Sequence, residues 1–88
     1  MENLNNNSLK LSENNYILVI NDFYYEDSAK KLKSELDKKS KLKNIHIKKI
    51  DDKKYRLFAG PFKNFTTLKK TYISLNNLGF ENLNIYTE

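Results

Sequence analysis

The sequence predicts an α+β domain in which one four-stranded antiparallel sheet carries two helices on one face. Three observations predict it. Four short segments are patterned as strands, two carry apolar residues at helical spacing, and their order along the chain is β-α-β-β-α-β. The chain has 88 residues, which is enough for one small domain. A domain of this size buries only about 60% of its unfolded surface, so it builds an open binding surface more readily than an enclosed, water-excluding site.

The elements follow in order. Residues 1–14 (MENLNNNSLKLSEN) are Asn-rich and aperiodic, and read as a flexible linker. The domain is expected over residues 15–88. Residues 16–20 (YILVI) form a continuous apolar run, as a central strand does. Residues 21–25 read as a turn. Glu26 and Asp27 then place negative charge where a helix N-terminus favours it. Ala29, Leu32 and Leu36 recur at intervals of 3 and 4, so residues 27–39 make an amphipathic helix. Residues 44–50 (NIHIKKI) and 54–59 (KYRLFA) alternate and flank Asp51-Asp52-Lys53, a strand–loop–strand hairpin that Gly60-Pro61 is expected to end. Asn64 is a good N-cap for a second helix carrying Phe65, Leu68, Tyr72 and Leu75, and Gly79 is placed to end it in the left-handed conformation. Residues 83–86 make a final short strand. Two βαβ-type units sharing one antiparallel sheet give a split, ferredoxin-like arrangement.

Composition narrows the chemistry. There is no cysteine, so disulfides and Cys-based zinc sites are excluded, and a single histidine, His46, builds no histidine metal site. No cofactor is expected. No apolar run approaches the roughly 18 residues of a membrane span. The start of the chain has no apolar signal segment, so an export signal or anchor is expected to belong to a parent protein. The net charge of +5 suits an anionic partner. The lysines are also spread along a chain rich in Lys, Asn, Ile and Tyr together, as AT-rich coding produces. Glu26-Asp27 and Asp51-Asp52 are adjacent carboxylates, but they fall at a helix start and in a solvated loop, without the burial that separates an acid from a base. No nucleophile–base pair or phosphate-binding loop is present, so an enzyme is not expected.

Alternation along the strands assigns the two faces of the sheet. Tyr16, Leu18, Ile20, Ile45, Ile47, Tyr55, Leu57, Leu83 and Ile85 are expected under the helices. The open face is expected to carry Ile17, Val19, Asn21, His46, Lys48, Lys54, Arg56, Phe58, Asn84 and Tyr86. An apolar strip bordered by cations makes a groove for a ligand with flat apolar faces and carboxylates. The candidate binding residues are Arg56, Val19, Phe58, Ile17, Asn21 and Lys54.

The segment YRLFAGPF over residues 55–62, a following helix, and Leu78-Gly79-Phe80 resemble the second half of a SPOR domain. Tyr16, Phe23, Ala29, Leu32 and Leu36 lie in register with its first half. The chain's two glycines, its one proline and its one arginine (Gly60, Gly79, Pro61 and Arg56) all fall on positions of that family's pattern. The resemblance implies non-catalytic binding of peptidoglycan, favouring glycan strands stripped of their stem peptides. It also implies a periplasmic or cell-envelope location at the division septum, with cell-division proteins as further partners. A lytic transglycosylase of the rare lipoprotein A type or a division protein is the kind of parent it suggests. Stripping frees a lactyl carboxylate on each muramic acid, and a guanidinium at position 56 can pair with a carboxylate in two parallel hydrogen bonds. Where many members carry a first-strand glutamine followed by small residues, this chain has Val19, Asn21 and Asp22.

Two other classes share the predicted strand order. A protein–protein docking module would keep the fold and change the partner. An RNA-binding RRM-like module would stack bases on sheet aromatics, but the third strand lacks the aromatic spacing and early glycine that such a module uses, and nucleic acid is not an expected partner.

Overall fold

A computed structural model describes residues 15–87. The linker read over residues 1–14 lies outside the described residues. The elements are β1 (Tyr16–Phe23), α1 (Glu26–Lys39), β2 (Ile45–Asp51), β3 (Lys54–Phe62), α2 (Phe65–Asn77) and β4 (Asn84–Thr87). The sheet order is β2-β3-β1-β4, with every neighbouring pair antiparallel, so the fold is the ferredoxin-like α+β arrangement.

Local chemistry sets the helix ends. In α1, Glu26 and Asp27 occupy the first turn and Lys38 and Lys39 the last, each complementing the helix dipole. At its end Ser40 donates its hydroxyl to the Leu36 carbonyl at 2.6 Å. Asn64 caps α2, its side-chain oxygen accepting from the Thr67 backbone N–H at 2.9 Å and the Thr67 hydroxyl at 3.0 Å. The other end of α2 closes in a Schellman motif. Gly79 sits at φ +103, the Phe80 N–H donates to the Leu75 carbonyl, and the Gly79 N–H donates to the Asn76 carbonyl.

Leu36, Leu68 and Leu75 from the helices meet Leu18, Ile20, Ile45, Leu57, Ala59 and Phe62 from the sheet in the main core. Tyr16, Phe23, Ile47 and Leu83 pack against it half-buried. A second cluster, Ile17, Val19 and Phe58, lies on the other face of the sheet and is also buried. Ile17, Leu18, Val19 and Ile20 are therefore all inside, which is why their segment reads as an unbroken apolar run. Burial of each such side chain contributes about 1.5–3 kcal/mol.

Several expectations are corrected. Ile85 was expected under the helices but is 46% exposed, because among the described residues neither helix packs over β4. Tyr55 is half-buried and stands outside the core cluster. Residues 21–23 continue β1 rather than turning. β3 does not end at Gly60-Pro61 but runs on to Phe62, which is buried in the core. The strand absorbs the interruption as a bulge. Tyr16 pairs with Phe62 and Leu18 with Ala59, leaving one extra residue on β3. Gly60 makes this possible at φ +127. A Cβ there would stand 2.9 Å from the Tyr16 carbonyl oxygen and 3.3 Å from the Ile17 Cα.

A second bulge, on β1, moves the site. Val19 pairs with Phe58, but Asn21 pairs with Leu57, so Ile20 is the extra residue. Beyond it the alternation inverts, and Asp22 comes opposite Arg56.

Candidate ligand groove

The open face carries a shallow groove of about 750 Å³ lined by Ile17, Lys48, Arg56, Phe58, Tyr86 and Thr87. All four strands contribute to it. Ile17 and Phe58, with Val19 beside them, make a buried apolar floor. Ile17 faces Tyr86 across the β1–β4 pair, and Lys48 faces Arg56 across the β2–β3 pair. Tyr86 is 44% exposed, so its ring is available to a ligand while its edge strand holds it in place. His46 stands next to Phe58 with ring centroids 5.8 Å apart.

Arg56 is held on two sides. Its Nε donates to Asp22 Oδ1 at 2.9 Å and its Nη2 to Asp22 Oδ2 at 3.0 Å, the two-point geometry that a guanidinium forms with a carboxylate. Its guanidinium carbon lies 5.2 Å from the centre of the Tyr86 ring, a cation–π contact. The hydrogen bonds from Arg56 hold the Asp22 carboxyl below its ordinary value of 3.8. Partial burial opposes this, and the charges of Arg56 and Lys54 add to it. The same hydrogen bonds raise the Arg56 guanidinium, against its own partial desolvation.

Of the six candidate residues, Arg56, Phe58 and Ile17 line the groove together. Val19 supports the floor from within the second cluster. Lys54 shares the face by alternation but stands exposed at the β2–β3 hairpin opposite Asp51, and acts on the site only through its charge near Asp22. Asn21 is a correction. The bulge at Ile20 pairs it with Leu57 and takes it off the groove, where it instead flanks Gly79 and Phe80 at the far end of α2. The residues left out of the candidate set are Lys48, Tyr86, Thr87 and Asp22. Alternation already put Lys48 and Tyr86 on this face. Thr87 lies one residue past the expected end of β4, and Asp22 depends on a bulge that carries no local sequence signal.

No protein family, curated protein or solved structure matches this chain. What the groove can hold follows from its own chemistry. It offers an apolar floor, one exposed aromatic ring, an exposed lysine and a neutralised arginine–aspartate pair. Among the described residues no three His, Cys, Asp or Glu side chains stand together to hold a metal ion.

Proposed function

We propose that this domain is a non-catalytic module that binds the glycan strands of bacterial peptidoglycan along its open sheet face, favouring strands stripped of stem peptides. The observation that carries this reading is the groove itself, with apolar Ile17 and Phe58 beneath, the Tyr86 ring beside them, and Lys48 and Arg56 at the edge. Its volume falls in the ligand-site range of about 300–1,000 Å³. Sugar faces and N-acetyl methyl groups rest on the floor and the ring. The Lys48 ammonium donates to sugar hydroxyls at the edge. Stripping the peptide removes the bulk that would hold a strand off so shallow a surface. The resemblance to SPOR domains supports the same ligand, and a septal, cell-envelope parent protein that the module targets.

Sedimentation with bacterial sacculi tests it. The domain should pellet more with amidase-stripped sacculi than with untreated ones. Tyr86→Ala should lose that excess. Equal, salt-sensitive pelleting of all proteins with both samples would leave only the net charge acting and would refute glycan recognition.

A protein-docking role on the same fold is the second reading. The Asp22–Arg56 pair favours it, since the guanidinium already has a carboxylate partner within the chain. Loss of sacculus binding with retained capture of a division protein would select it.

A further inference from the structure

The chain has one arginine, and that arginine lines the groove with its Nε–Nη2 edge already paired to Asp22. We propose that Asp22 sets the charge selectivity of the groove by occupying Arg56 as an internal carboxylate. The wild-type surface then takes glycan by its sugar faces and gives a free carboxylate little advantage. This deepens the glycan reading and rests on it. The preference for stripped strands comes from access, not from the carboxylate that stripping exposes.

Three features carry the inference. The pairing has two-point geometry at 2.9 and 3.0 Å, so Asp22 fills the Nε–Nη2 edge, one of the two by which a guanidinium pairs with a carboxylate, and offsets its charge toward a ligand at the other. The bulge at Ile20 puts Asp22 directly across from Arg56, so the partner is set by strand register rather than by a wandering side chain. The Tyr86 ring makes a cation–π contact with the guanidinium, its centre 5.2 Å from the guanidinium carbon. An intramolecular partner acts at a high effective concentration, so a carboxylate seeking the same Nε–Nη2 edge must displace it. Neither side chain is fully buried, Arg56 being 19% and Asp22 33% exposed, so a ligand can reach the pair.

A single arginine also makes the test direct, because a ¹⁵N-labelled domain gives one arginine Nε–H signal. Wild type, Asp22→Asn and Asp22→Ala would each be titrated with N-acetylmuramic acid, N-acetylglucosamine and acetate, with backbone amide spectra checking the fold. In both variants N-acetylmuramic acid should bind about tenfold tighter than to wild type, the scale of a freed charge-assisted hydrogen bond, while N-acetylglucosamine should be unchanged. The Arg56 Nε–H signal should follow N-acetylmuramic acid and acetate in the variants and stay still in wild type. Equal affinities in wild type and variants, or an Arg56 signal that responds to carboxylates in wild type as it does in the variants, would overturn the proposal. The acetate arm keeps the two readings apart. Failure of both sugars to bind any form refutes the glycan reading, whereas an Arg56 signal in the variants that ignores acetate refutes the role of Asp22.

Discussion

Replacing Gly60 with alanine probes the bulge that carries β3 past Pro61 and seats Phe62 in the core. Two costs add. An L-residue at φ +127 occupies backbone space that is essentially glycine's alone, a strain of about 1–3 kcal/mol. The new Cβ also meets the Tyr16 carbonyl oxygen at 2.9 Å and the Ile17 Cα at 3.3 Å. Both atoms are backbone within β1 and cannot swing aside, so overpacking adds about 1–3 kcal/mol more. The expected loss of about 2–6 kcal/mol is a large share of the roughly 4–13 kcal/mol available to a domain of this length. It corresponds to a fall in Tm of at least about 10 °C. Gly79→Ala is the matched control. Gly79 also has positive φ, at +103, but a Cβ there finds nothing within 4 Å, so only the backbone strain applies. Thermal and urea melts followed by far-UV circular dichroism would compare the two. Gly60→Ala should be the more damaging by the size of the steric part. Equal losses, or a milder Gly60→Ala, would refute the idea that the backbone of β1 closes this position.

Other perturbations separate the site from the scaffold. Asn64→Ala removes the acceptor for Thr67 and should lower stability by about 1 kcal/mol in urea melts without changing sacculus binding. Tyr86→Ala should abolish the preference for stripped sacculi while lowering Tm by only a few degrees, since the ring is 44% exposed on an edge strand. The Asp22–Arg56 pair should make stability depend on acid. The folded-state pKa of Asp22 lies below 3.8, so the pair's contribution is full above that value and is lost as the pH falls below it through the lowered folded-state value. Wild type should therefore exceed Asp22→Asn by a constant margin from neutral pH down to about 5, and the margin should close on further acidification, as urea melts across that range would record.

The strands and helices are legible in the sequence because their signals are local. Ala29, Leu32 and Leu36 mark one helix face by themselves, and Asn64 and Gly79 mark the limits of the other helix. The alternation of NIHIKKI puts Ile45 and Ile47 on the core face, where the structure has them. Three features are not local. Gly60-Pro61 is strong punctuation in isolation, yet the strand runs through it because Phe62 gains a place in the core. Ile85 has the alternation of a core residue, but among the described residues no helix covers β4. The extra residue at Ile20 arises from pairing with β3, and it reverses the faces of everything after it. Strict alternation thus put Asn21 in the groove and left out Asp22, and the partner of Arg56 was hidden by that one-residue slip.

The two-sided burial of β1 constrains how such a surface can change over time. Ile17 and Val19 form the floor of the groove, while Leu18 and Ile20, their immediate neighbours, belong to the helix-covered core. A substitution in the floor is therefore tested twice, once by whatever the groove holds and once by the folding equilibrium of a small domain with little stability to spare. Lys48, Tyr86 and Thr87 carry no such double duty, since all three are exposed, and Asp22 sits with them at the margin. Selection for a new ligand is free to act at this rim while the floor stays fixed, so related domains would diverge in charge and aromatic content around the groove before they diverge in its shape.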